Sequence, residues 1–174
     1  MDFDVDRVLA QFGITRPFTV EPLGEGHIHR TFLVTTPSAK KVLQQINTGV
    51  FREPDVLASN IDAVTSRLRE AGGAVLSFDR TTAGTPYAEE ENKLYRLSTF
   101  IPNAPHPPVT HAARAAGEAF AAFERRLSLA NAPRLVDIFP GFHDMRKRLA
   151  AFDQALRADR VGRAGDVAGE IAAV

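Results

Sequence analysis

The sequence predicts an α+β fold: a five-stranded antiparallel sheet with one helix beside it, followed by a wholly helical segment. Three observations predict it. Three short β-rich segments joined by brief connections occupy residues 18–47. The hydrophobic period then switches to helical for one stretch and back to strand-like for two more. Finally "PNAPHPPVTH" (102–111) carries four prolines in ten residues, and every apolar pattern beyond it is helical.

The elements follow in order. Val5, Val8, Leu9 and Phe12 recur at helical spacing over 4–12, and Gly13 can end that helix. Residues 18–23, 31–36 and 41–47 read as three strands, the second rich in β-branched and aromatic residues. Leu57, Ile61, Val64 and Leu68 then form one apolar stripe. Pro54 suits the first turn of this helix and Gly72-Gly73 its end. Residues 74–82 and 93–101 read as the last two strands, with Glu89-Glu90-Glu91 in a solvated turn between them. Past the prolines, Ala116, Phe120, Phe123 and Leu127 make one amphipathic stripe. Met145, Leu149, Phe152 and Leu156 make another, with Asp144 as its N-cap. The domain division expected is 1–101, a linker at 102–110, and an incomplete helical part at 111–174.

Composition narrows the function classes. At 174 residues and 44% hydrophobic, the chain can bury a core. Lys plus Arg and Asp plus Glu each number 21, so net charge offers no reason to expect nucleic acid. There is no cysteine, which excludes disulfides, Cys-ligated zinc and thiol catalysis. The acidic, amphipathic start lacks the features of a secretion signal. No stretch is long and apolar enough to span a bilayer. The expectation is a cytoplasmic protein with no membrane partner. The apolar ending "GDVAGEIAAV" reads as a cut inside a larger domain.

The chemistry concentrates in "LGEGHIHRTFLVTT" (23–36). Gly24-Glu25-Gly26 lies between two strands, not between a strand and a helix. That argues against phosphate loops that use a helix N-terminus. A glycine-bearing hairpin over a triphosphate is the protein-kinase arrangement. The third glycine of that pattern is absent, because His29 stands there, and a plain hairpin turn remains the alternative. His27 and His29 have no nearby third ligand at metal-binding spacing, so exposed loop histidines are expected. A substrate hydrogen bond from one of them is the other reading. In "KVLQQIN", Val42 and Gln44 share a face. A kinase places an apolar residue over adenine and a Lys two residues on. The helix residue expected to face Gln44 is Asn60, an uncharged pair in place of Lys–Glu, with two surface amides as the alternative. "RLSTFIP" runs into the prolines as a hinge would. His143 with Asp144 reads as a cap beside a structural histidine. No Ser–His–Asp set or paired carboxylates can be placed, so no catalytic or metal-binding residue is assigned within the chain.

Together, "LGEGHIHRTFLVTT", "VLQQINTGVF", "NIDAVTSRL", "RLSTFIP", "FHDMRKRLAAFDQAL" and "DRVGRA" resemble the N-terminal half of the N-acetylhexosamine 1-kinases. These are aminoglycoside-phosphotransferase-like enzymes with a protein-kinase-like fold. The resemblance covers nearly the whole chain in order. It implies a kinase-like N-lobe followed by the first helices of an α-helical C-lobe. It implies an ATP- and Mg²⁺-dependent transfer to the anomeric hydroxyl of an N-acetylhexosamine. Another small alcohol (an aminoglycoside, choline or homoserine) is the alternative acceptor, and a non-catalytic nucleotide-binding or interaction module the alternative role. By resemblance, Leu23, Gly24, Glu25 and Gly26 cover the nucleotide. Val42 and Gln44 lie beneath it, Thr99, Phe100 and Ile101 form the hinge, and His27 reaches the sugar. The family's "HND…N" catalytic loop and later metal-binding Asp have no counterpart here. The chain alone is therefore expected to be inactive, and its helix stripes to invite self-association.

Overall fold

The computed structural model describes residues 2–24, 26–73, 75–102, 109–128 and 134–173. Two compact units divide the chain, residues 1–138 and 139–174.

The first unit begins with helix α1, Val5–Gln11. Asp4 caps it, its carboxylate accepting from the Arg7 amide at 3.1 Å. Strands β1 (Thr19–Pro22), β2 (Arg30–Thr35) and β3 (Lys40–Ile46) form an antiparallel meander. Helix α2, Pro54–Glu70, has Pro54 in its first turn. The chain turns out of it at Gly72, φ 67°, and the Gly73 amide caps the Leu68 carbonyl at 2.8 Å. Strands β4 (Phe78–Asp79), β5 (Ala88–Glu90) and β6 (Lys93–Thr99) complete the sheet.

The sheet has six strands in the order β1-β2-β3-β6-β4, with β5 also on β6. This corrects the expected five. β4 pairs with Ser98 and Leu97 while β5 pairs with Tyr95, Leu94 and Lys93. The two short strands thus share one position on the outer side of β6. The segment "TTAGTP" breaks that position. Gly84 takes φ 82°, and the Thr81 hydroxyl accepts from the Thr85 amide at 3.1 Å, turning the backbone out of the ladder. The expected solvated turn at 89–91 is corrected too. Glu89 and Glu90 belong to β5, and Glu90 is buried against Arg7 at 3.1 Å. Only Glu91 and Asn92 form the turn, both at positive φ, as a tight hairpin requires.

The core lies on the α1 face. Val8 and Leu9 from the helix meet Phe32, Val34, Leu43, Tyr95 and Leu97 from the sheet. Each of these side chains contributes about 1.5–3 kcal/mol by leaving water. Gln11 staples α1 to β5, donating to the Glu89 carbonyl at 3.0 Å and accepting from its amide at 3.1 Å. The opposite face carries Thr31, Leu33, Val42, Gln44, Arg96 and Ser98 by strand alternation. Leu57, Ala58 and Ile61 of α2 form a cleft with Ile46, Phe78 and Arg96 on that side.

Helix α3, Val109–Ser128, belongs to the first unit and packs against α2. The linker expected at 102–110 falls largely outside the described residues. The second unit holds α4, Met145–Ala158, a 3₁₀ turn at Ala164–Val167, and α5, Ala168–Ile171. Asp144 caps α4, accepting from the Arg146 and Lys147 amides at 3.1 and 3.2 Å. No helix among the described residues is long and apolar enough to cross a membrane.

Candidate functional site: the polar face beneath a glycine hairpin

The hairpin between β1 and β2 closes at its base, where the Leu23 amide donates to the Thr31 carbonyl at 2.9 Å. Gly24 follows at φ 73°, a conformation that strains any residue with a Cβ. Gly26 comes close to the backbone, with the His29 carbonyl 3.2 Å from where a Cβ would stand. Glu25 lies outside the described residues. His27 and Ile28 are exposed on the turn.

His29 is not a free loop histidine. Its Nδ1 accepts from the Asn47 amide at 3.1 Å, and its ring stacks on Phe51 with centroids 5.1 Å apart. Accepting at Nδ1 leaves the proton of the neutral ring on Nε2, so the ring is held as a donor. Its pKa is held below the ordinary 6.5, first by burial and then by the positive charge of Arg96.

Across the sheet, Thr31, Gln44 and Arg96 stand in one register row. The Gln44 amide donates to the Thr31 hydroxyl at 3.1 Å. The Gln44 carbonyl oxygen accepts from Arg96 Nε and Nη2 at 2.9 and 2.6 Å. Phe78 lies under the guanidinium at 5.4 Å. The next row toward the β6 C-terminus is Leu33, Val42 and Ser98. Polar and apolar rows are thus about 7 Å apart, two residues along a strand.

Gln44 and Asn60 do not meet, which corrects the expected amide pair. Asn60 instead grips the backbone of Val136, donating to its carbonyl at 2.8 Å and accepting from its amide at 3.1 Å. The reason is rotational. Asn60 stands one residue before Ile61, about 100° around the helix from the cleft-lining stripe. The partners Gln44 does have are Thr31 and Arg96.

Past β6, the Thr99 amide donates to the Ser77 carbonyl at 2.9 Å and the Phe100 amide to the Lys40 carbonyl at 3.3 Å. Among the described residues, the Ile101 amide has no backbone partner, and its side chain is exposed. Of the expected hinge, Ile101 therefore offers the free donor.

Arg96, Thr31 and the His29 fixture were not singled out in the sequence. The available signal was Arg96 itself, a charge in the middle of "LYRLS" between residues that alternate to the core. His143 stacks edge-on against Phe142 at 5.0 Å, and Asp144 acts as a cap. Among the described residues, no three His, Asp or Glu side chains are grouped to hold a metal. The row of Leu33 and Val42, the Arg96 guanidinium and the Ile101 amide lie toward one face and one end of the sheet. No family model matches the sequence.

Proposed function

We propose that the first unit is the nucleotide-binding half of an ATP-dependent phosphotransferase with a protein-kinase-like N-lobe. The observation that carries this reading is the order of elements. A meander whose first turn bears Gly24 and Gly26 feeds a central strand, then α2, then a strand that pairs back on the centre. That order sets Val42 on the face beside β6, close to where the chain leaves the sheet at 99–101. Val42 and Leu33 supply an apolar floor for a base, and the Ile101 amide a donor to its edge. Gly24 and Gly26 let the hairpin backbone approach phosphates.

The acceptor we propose is the anomeric hydroxyl of an N-acetylhexosamine, with His27 on the exposed turn reaching the sugar. Residues 1–101 form the lobe, 102–110 the hinge and 111–174 part of a helical lobe in this reading. In phosphoryl transfer, bound Mg²⁺ supplies charge neutralisation at the phosphates. No counterpart of the catalytic loop stands in the chain, so by itself it should transfer no phosphoryl group.

Calorimetric titration with ADP and ATP tests the nucleotide reading directly, and saturable binding at millimolar concentration or tighter is expected. Absence of binding by either would remove it. Thermal shift with N-acetylglucosamine and N-acetylgalactosamine, against choline, homoserine and an aminoglycoside, tests the acceptor, because a ligand of the native state raises the melting temperature.

A further inference from the structure

Among the described residues, one charge on the polar face, Arg96, has no counter-ion. Arg96 is half-buried in the middle of β6, between the Phe78 ring and the Gln44 amide. Two carboxylates line the same cleft, but both are engaged elsewhere. Asp79 pairs with Lys41 at 2.7 Å and Asp62 pairs with Arg80. Gln44 satisfies Nε and part of Nη2, while Nη1 donates to nothing among the described residues. A half-buried guanidinium held by a neutral amide keeps donors that an arriving anion can complete.

The surroundings specify the anion. The row is not acidic: Thr31 and Gln44 are neutral, and His29 is held as a neutral Nε2–H donor. One end of the row lies at the base of the glycine hairpin, at the Leu23–Thr31 bond. The apolar row of Leu33 and Val42 stands about 7 Å away, a distance that a ribose can bridge. A planar guanidinium suits phosphate oxygens better than any other side chain.

We propose that Arg96 grips the polyphosphate of the bound nucleotide, with Gln44 as the residue that aims its guanidinium. The cation that kinases carry on the strand of Gln44 is thereby supplied from the neighbouring strand. This assignment rests on the nucleotide reading above for the identity of the ligand.

The test uses the 174-residue chain labelled with ¹⁵N, titrated separately with tripolyphosphate, ATP and adenosine. The Arg96 Nε–H signal should shift saturably with tripolyphosphate and ATP. Gln44→Glu sets a carboxylate against the guanidinium without changing side-chain size. It should raise the melting temperature yet weaken ATP and tripolyphosphate about tenfold or more, leaving adenosine unchanged. Arg96→Lys should retain more ATP affinity than Arg96→Met. If Gln44→Glu stabilises the chain and ATP binds as before, Arg96 is structural and the proposal falls, while the nucleotide reading stands. An Arg96 signal indifferent to both polyphosphates likewise overturns it. If tripolyphosphate binds through Arg96 but ATP binds no better and adenosine not at all, the nucleotide reading falls and Arg96 remains an anion site.

Discussion

Tyr95 shows how a single residue can be well packed and badly satisfied. Its ring is fully buried against Phe3, centroids 4.7 Å apart, yet its hydroxyl finds no hydrogen-bond partner among the described residues. Burial, helped by the charge of Asp2, pushes its pKa up to about 12. Tyr95→Phe deletes the stranded hydroxyl and keeps the ring. Urea unfolding at neutral pH should therefore show stability unchanged or raised by about 1 kcal/mol. The phenol also ties stability to alkali. The folded state holds its proton above the unfolded value of 10, so stability is complete below pH 10 and declines as pH rises toward 12. Tyr95→Phe should lose that part of the decline. His29 works in the opposite sense. Its folded pKa lies below 6.5, so the unfolded chain takes up its proton first. Stability is complete above pH 6.5 and falls as acid reaches the folded pKa. His29→Asn keeps an acceptor for the Asn47 amide and should flatten the melting-temperature profile just below pH 6.5. An unchanged slope would mean that another group carries it.

At the scale of elements, periodicity was the dependable guide. The stripe Leu57, Ile61, Val64, Leu68 announced α2, and Gly72-Gly73 announced its end, because both signals are local and physical. The meander was legible for the same reason. What escaped was the shared fifth position of the sheet. "TTAGTP" contains good strand residues, and only the hydroxyl-to-backbone bonds of Thr81 and Thr85 show that it leaves the ladder. The site was legible by half. Face-sharing of Val42 and Gln44 follows from alternation alone, but which strand lies beside Gln44 depends on a pairing 52 residues away. Asn60 was misdirected because a stripe reveals the apolar side of a helix, not what its flank will touch. Asn60→Ala should free the backbone at 134–137 and cost about 1–3 kcal/mol. Amide exchange should quicken at Val136, while the Arg96 Nε–H signal stays where it was. Movement of the Arg96 signal would restore the link between Asn60 and Gln44.

Considered whole, the first unit is closed on one face and open on others. The α1 side holds a continuous apolar core, whereas α3 leaves Phe120 68% and Phe123 39% exposed. In the second unit, Met145 and Leu149 of α4 are also exposed. Apolar groups repeated along one helix favour association when a partner is at hand. Sedimentation of the 174-residue chain should show self-association that rises with concentration, and Phe120→Asp with Phe123→Asp should diminish it. A monomer at every concentration would show that α3 is covered in another way.

The division of the outer sheet position between β4 and β5 also bears on solubility. An open strand edge is a template on which a second chain can add itself. Here the outer edge offers only Phe78–Asp79 and Ala88–Glu90, separated by a threonine-rich excursion, and the other edge is a strand of four residues ending in Pro22. Neither side presents a run long enough for a neighbour to zip onto. The chain can leave its helix faces uncovered without also offering its sheet as a seed.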